Sequence, residues 1–94
     1  MINKEQVSST FSILNDKGLH TRPATEIVKC VSKYRCNITL KYQDLAVNAK
    51  SLLGILMLAA ARGAKIRVEA EGEDAQDAVD ALINLAGSKF NIEY

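Results

Sequence analysis

Apolar residues change their spacing repeatedly along this chain, from every second position to every third or fourth and back, and that alternation restricts the fold more than any other feature. A period of two buries one face of a strand, whereas a period near 3.6 buries one stripe of a helix, so each switch marks a new element. Val7 to Leu14 carries Val7, Phe11 and Ile13 on alternate positions and reads as a strand, stopped by Asn15-Asp16-Lys17-Gly18. Ala24, Ile27, Val28, Val31 and Tyr34 then recur at three and four residues, which predicts a helix from Thr21 to Lys33. Pro23, the only proline, fits only in the first turn, where its missing N–H has no intrahelical partner to lose. The helix boundary therefore falls at His20 to Arg22.

Asn37 to Tyr42 alternates again, Gln43-Asp44 is a turn, and Leu45 to Val47 returns antiparallel. A second helix is expected from Leu52 to Ala61, with Gly63 as the left-handed residue that ends it. Lys65 to Glu71 forms the last strand. Asp74 is the candidate N-cap of a final helix whose stripe is Ala75, Ala78, Val79, Leu82, Ile83 and Ala86. The order β-α-β-β-α-β-α implies an α+β fold, an open-faced two-layer sandwich with three helices on one face of a four-stranded, mainly antiparallel sheet. Residues 1–94 are read as one domain with its core at about residues 7–86. The tips, 1–6 and 87–94, fall outside the pattern and are expected to fray.

Twelve Lys plus Arg against eleven Asp plus Glu leave a net charge of +1, which removes the electrostatic argument for a nucleic-acid partner. The first residues form no secretory signal, and Leu52 to Ala61 is too short to span a bilayer, so a cytoplasmic protein without membrane insertion is expected. Cys30 and Cys36 match neither C-x-x-C nor a zinc spacing and read as reduced, packed thiols; no metal site is expected. The acidic residues Glu69, Glu71, Glu73 and Asp74 are accounted for by strand alternation and a turn rather than by paired catalytic carboxylates.

The only histidine, His20, stands directly before the first helix, with Arg22 two residues on. The first N–H groups of a helix are unpaired within it and carry the positive end of its dipole, so they hold phosphate or another anion readily. Arg22 adds a fork of donors for phosphate oxygens. Together these describe a histidine that accepts a phosphoryl group, with the backbone amides of Thr21 and Arg22 stabilising the dianion. The plain alternative, a loop histidine beside a solvated arginine, is not excluded by local reasoning alone.

Gly18-Leu19-His20-Thr21-Arg22-Pro23-Ala24 resembles the active-site motif of the HPr family, the histidine-containing phosphocarriers of the bacterial phosphoenolpyruvate-dependent sugar phosphotransferase system. Ala49-Lys50-Ser51-Leu52-Leu53-Gly54 is similar to the family's second motif, around its regulatory serine, and Ala70-Glu71-Gly72-Glu73-Asp74 with Ala78-Val79 to the segment entering its last helix. The resemblance implies that His20 takes a phosphoryl group on Nδ1 from phosphorylated enzyme I and passes it to the IIA component of a sugar permease, with Arg22 assisting. It implies a monomer that needs no cofactor, since the partners align the reacting groups. Leu52, Leu53, Leu56, Met57 and Ala60 fall on one side of the second helix, with Ile55, Leu58 and Ala59 on the other. The first set is the candidate docking patch, and the resemblance favours that role for Leu52 and Leu56. Part of the set, Leu53 and Met57 above all, can equally pack beneath the first helix.

Ser51 suffices as an N-cap. The resemblance adds a second role, phosphorylation by an HPr kinase/phosphorylase that weakens docking and engages a transcription regulator. A regulatory paralogue acting mainly as a binding module is the alternative to a sugar-delivery carrier. Gln43-Asp44 departs from the Asn-Gly of many members, so a different loop is expected there. Lys17, Arg22 and Lys50 are expected to give the site a basic face.

Overall fold

The computed structural model describes residues 6–92. Strand β1 (Gln6–Ser12) is followed by helix α1 (Thr21–Val31), strands β2 (Asn37–Tyr42) and β3 (Leu45–Asn48), helix α2 (Leu52–Met57), strand β4 (Lys65–Glu71) and helix α3 (Ala75–Gly87). The sheet runs β1-β4-β2-β3 with every pairing antiparallel. Its register aligns Phe11 with Ile66, Leu40 with Val68 and Ile38 with Ala70, so the alternation of each strand builds one continuous apolar face. Onto it pack Ala24, Ile27 and Val31 of α1, Ile55 of α2, and Ala78, Val79 and Leu82 of α3, all buried. Each large apolar side chain so buried stabilises the fold by about 1.5–3 kcal/mol over its exposed state. The opposite face is polar, with Lys41 and Arg67 both paired to Glu69 at 3.0 and 2.8 Å. Those two donors hold the Glu69 carboxyl below the usual carboxylate range.

Several expectations are corrected. Helix α2 stops at Met57, not Ala61, because Ala59 takes φ +49° and the last N–H groups bond three residues back, Leu58 to Ile55 and Ala59 to Leu56. Helical extrapolation therefore fails past Leu58: Ala60 is buried and Ala59 exposed, the reverse of the expected faces. Gly63, at φ +90°, serves the turn into β4, where its N–H bonds the Ile13 carbonyl. The Gln43-Asp44 loop stays at two residues, since Tyr42 pairs with Leu45, and Gln43 accepts φ +55° to close it.

Asp74 precedes α3 but does not cap it with its side chain; its carboxylate instead accepts the N–H groups of Arg35 and Cys36 at 2.8 and 2.9 Å. It thereby ties the α1–β2 connection to the α3 entrance. The tail does not fray over residues 87–92. Phe90 is fully buried with its ring edge-on to Phe11 at 6.2 Å between centroids, and Ile92 is buried beside it. The expectation for residues 1–5 and 93–94 lies outside the described residues.

Candidate active site at the entrance of the first helix

The segment Asn15 to His20 leaves β1 and delivers the chain to α1. Its shape depends on Gly18, which takes φ +71° and passes so close to the α2 exit that a Cβ there would lie 2.6 Å from the Ala60 carbonyl oxygen. No other residue satisfies both conditions. The same carbonyl accepts the Leu19 N–H at 2.8 Å, and burial of Leu19 seats the segment on the core. Within the segment, the Gly18 N–H bonds the Asn15 carbonyl at 3.0 Å and the His20 N–H bonds the Gly18 carbonyl at 3.1 Å. An exposed ion pair between Asp16 and Arg62 at 3.1 Å spans the same two segments and adds little stability.

His20 is the N-cap of α1, extended at φ −92° and ψ −168°, and its side chain makes no cap hydrogen bond. The first intrahelical bond is from the Ala24 N–H to the His20 carbonyl at 3.0 Å. The amides of Thr21 and Arg22 therefore precede the hydrogen-bonded ladder, at the positive end of the helix. No acidic residue lies in that first turn. Thr21 and Arg22 are exposed, Pro23 and Ala24 are buried, and Nε2 of the half-buried His20 ring is buried. His20, Thr21 and Arg22 thus follow one another at the α1 entrance.

Lys50 does not join them. Its Nζ donates to the Tyr34 carbonyl at 2.7 Å, beyond the far end of α1, a helix about 16 Å long at ~1.5 Å per residue. Arg22 and Lys17, on or just before the α1 entrance, are both exposed. The Lys50 contact at the α2 entrance and the Ala60 contact past its exit make α2 run back alongside α1. Ser51 caps α2 by accepting the Gly54 N–H on Oγ at 3.1 Å. Beyond it Leu52, Leu53 and Met57 are 38, 70 and 61% exposed, while Leu56 is half-buried. Leu53 and Met57 are therefore not packed beneath α1.

Both cysteines are free thiols. Burial raises the pKa of Cys30, and burial together with the Asp74 carboxylate pushes that of Cys36 to about 11, so neither is a ready nucleophile. Among the described residues no group of three or more His, Cys, Asp or Glu is placed to hold a metal, and no helix is long and apolar enough to cross a membrane. The sequence marks Asn15 only as a strand stop, yet it is completely buried, with Nδ2 donating to the Lys89 carbonyl at 3.0 Å.

Comparison with known proteins places this geometry among relatives. The family model "PTS HPr component phosphorylation site" matches residues 7–88. A "Phosphocarrier protein HPr" of Xylella fastidiosa (strain Temecula1 / ATCC 700964) is 41% identical over 81 residues, 86% of this chain and 91% of that protein. Among solved structures, HPr-C-His from Thermoanaerobacter tengcongensis superposes with a TM-score of 0.88 at 39% identity, covering 94% of this chain and 99% of that one. A phosphocarrier protein HPr from Bacillus anthracis str. Ames gives 0.79 at 33% identity over 84% of this chain and 94% of its own.

Proposed function

This chain belongs to the HPr family, the phosphocarriers of the phosphoenolpyruvate-dependent sugar phosphotransferase system, and on that premise we propose that His20 is the phosphoryl acceptor, loaded by enzyme I and unloaded by IIA domains of sugar permeases. The observation that carries this reading is the α1 entrance itself: a histidine that leaves its own helix uncapped, ahead of two exposed residues whose amides precede the ladder. Burial of Nε2 supports Nδ1 as the reacting atom, with the ring proton on Nε2. The Nδ1 lone pair attacks phosphorus as the bond from phosphorus to the donor's own nucleophile breaks, and that bond's electron pair returns to the donor. The Thr21 and Arg22 amides and the Arg22 guanidinium balance the charge on the transferring oxygens. Delivery reverses the sequence on the IIA nucleophile. Leu52, Leu53 and Met57, with Leu56 at the edge, form the exposed apolar surface of α2 that docks partners.

Mixing the protein with enzyme I and labelled phosphoenolpyruvate tests it. Acid-labile label appears on the chain and His20→Ala abolishes it; undiminished label on the variant overturns the assignment.

Ser51 supports a second, regulatory reading, because it stands half-exposed where the apolar patch begins. A phosphate there sets a dianion beside Leu52 and Leu53 and weakens docking. HPr kinase/phosphorylase with ATP should add one phosphate at Ser51, located by mass spectrometry, and raise the KM for transfer from enzyme I. An unchanged KM removes this role, and a carrier that never takes label on His20 favours the purely regulatory paralogue.

A further inference from the structure

The C-terminal turn is built under strain. Lys89, Phe90 and Asn91 take φ +55, +58 and +61° in succession, a left-handed run that residues with a Cβ rarely adopt. Such backbone persists only where its surroundings hold it. Here Phe90 is locked against Phe11, the Asn91 and Ile92 N–H groups bond the Ser88 and Lys89 carbonyls, and Ser88 Oγ bonds Asn91 Oδ1 at 3.1 Å. The strained turn presents the Lys89 carbonyl inward, where it accepts Nδ2 of Asn15 at 3.0 Å.

Asn15 is a fully buried polar residue at the start of the segment that ends at His20. Three hydrogen bonds run in series from tail to site: Asn15 Nδ2 to the Lys89 carbonyl, Gly18 N–H to the Asn15 carbonyl, and His20 N–H to the Gly18 carbonyl. Resting on the reading of His20 as the acceptor, we infer that Asn15 is a positioning residue for phosphoryl transfer, held by the C-terminal turn so that the His20 backbone stays fixed at the entrance of α1. The exposed Asp16–Arg62 pair is a poor substitute, because both side chains stand in water. In-line transfer is sensitive to small displacements of the nucleophile, so a loosened Asn15 slows the chemical step without touching the docking patch on α2.

The experiment measures steady-state transfer from enzyme I to the full chain, treated as the varied substrate, at a temperature well below unfolding. Asn15→Ala should lower kcat by roughly tenfold or more, with KM little changed. A fraction of unfolded chain would raise KM instead, so the split separates positioning from stability. Phe90→Ala, which releases the turn while keeping Asn15, should show the same split, and the double variant should be no slower than the worse single one. If Asn15→Ala does not fold, Asn15→Leu, of similar size and without a donor, takes its place. Wild-type kcat in these variants, or multiplicative losses in the double variant, overturns the inference. Loss of label in His20→Ala alongside that result leaves the acceptor assignment standing, whereas label retained on His20→Ala defeats both.

Discussion

The entrances of α1 and α2 both start from an extended residue and differ in what finishes them. His20 and Ser51 both stand extended ahead of their helices, at φ −92° and −107°. Ser51 turns its hydroxyl back onto the Gly54 N–H, whereas His20 leaves its helix without a side-chain cap. A cap contributes about 1 kcal/mol, and α2, with six residues, depends on it more than α1, whose eleven residues pack against both other helices. Helix length thus decides which entrance can remain open to an anion. The long helix tolerates an uncapped start because tertiary contacts hold it, and that start is where a phosphate is proposed to sit.

Exchanging the two finishes gives the largest effects. His20→Ser should abolish acid-labile labelling from enzyme I altogether while stabilising the fold by about 0.5–1 kcal/mol, since serine caps what histidine leaves open. That gain appears in thermal unfolding as a Tm higher by roughly 4 °C. A lower Tm would show that the imidazole contributes to holding the entrance and would end the contrast. The reciprocal change, Ser51→Ala, should lower stability by about 1 kcal/mol in denaturant titration and leave the maximal rate of label uptake unchanged. A fall in that rate would mean that the α2 cap also shapes the His20 segment.

The contrast also separates what was legible in the sequence from what was not. The α1 entrance could be read locally, because Pro23 is admitted only in a first turn and the apolar stripe after it has one phase. The sheet was legible for the same reason, each strand alternating over its own length. The end of α2 was not, because Ala59 to Ala61 continue an apolar helical pattern while the chain must turn there to bring the Ala60 carbonyl to the Leu19 N–H. Lys50 was misplaced because a long side chain can reach either end of a neighbouring helix, and the Tyr34 carbonyl that receives it is fixed only by the fold. Phe90 and Asn15 were passed over for a related reason. Their burial exists only once the tail crosses beneath β1, a contact between residues 74 positions apart.

The third entrance, at Asp74, gives the smallest effect and extends the comparison. Its carboxylate caps nothing with its side chain and instead receives the Arg35 and Cys36 N–H groups, and the Arg35 bond does most to hold its pKa below the ordinary value of 3.8. A carboxyl lowered in the folded state binds protons more readily once unfolded. Its stabilising contribution is therefore complete above pH 3.8 and lost as the pH falls through the lower, folded value. Asp74→Asn keeps one acceptor for those amides but removes the titration. The variant should then lose less stability than the wild type as the pH is taken below 3.8 in denaturant titration. Matching acid slopes would mean that the two amides are held by the α1–β2 connection itself, leaving Asp74 as a passive neighbour of α3 rather than the tie between it and the end of α1.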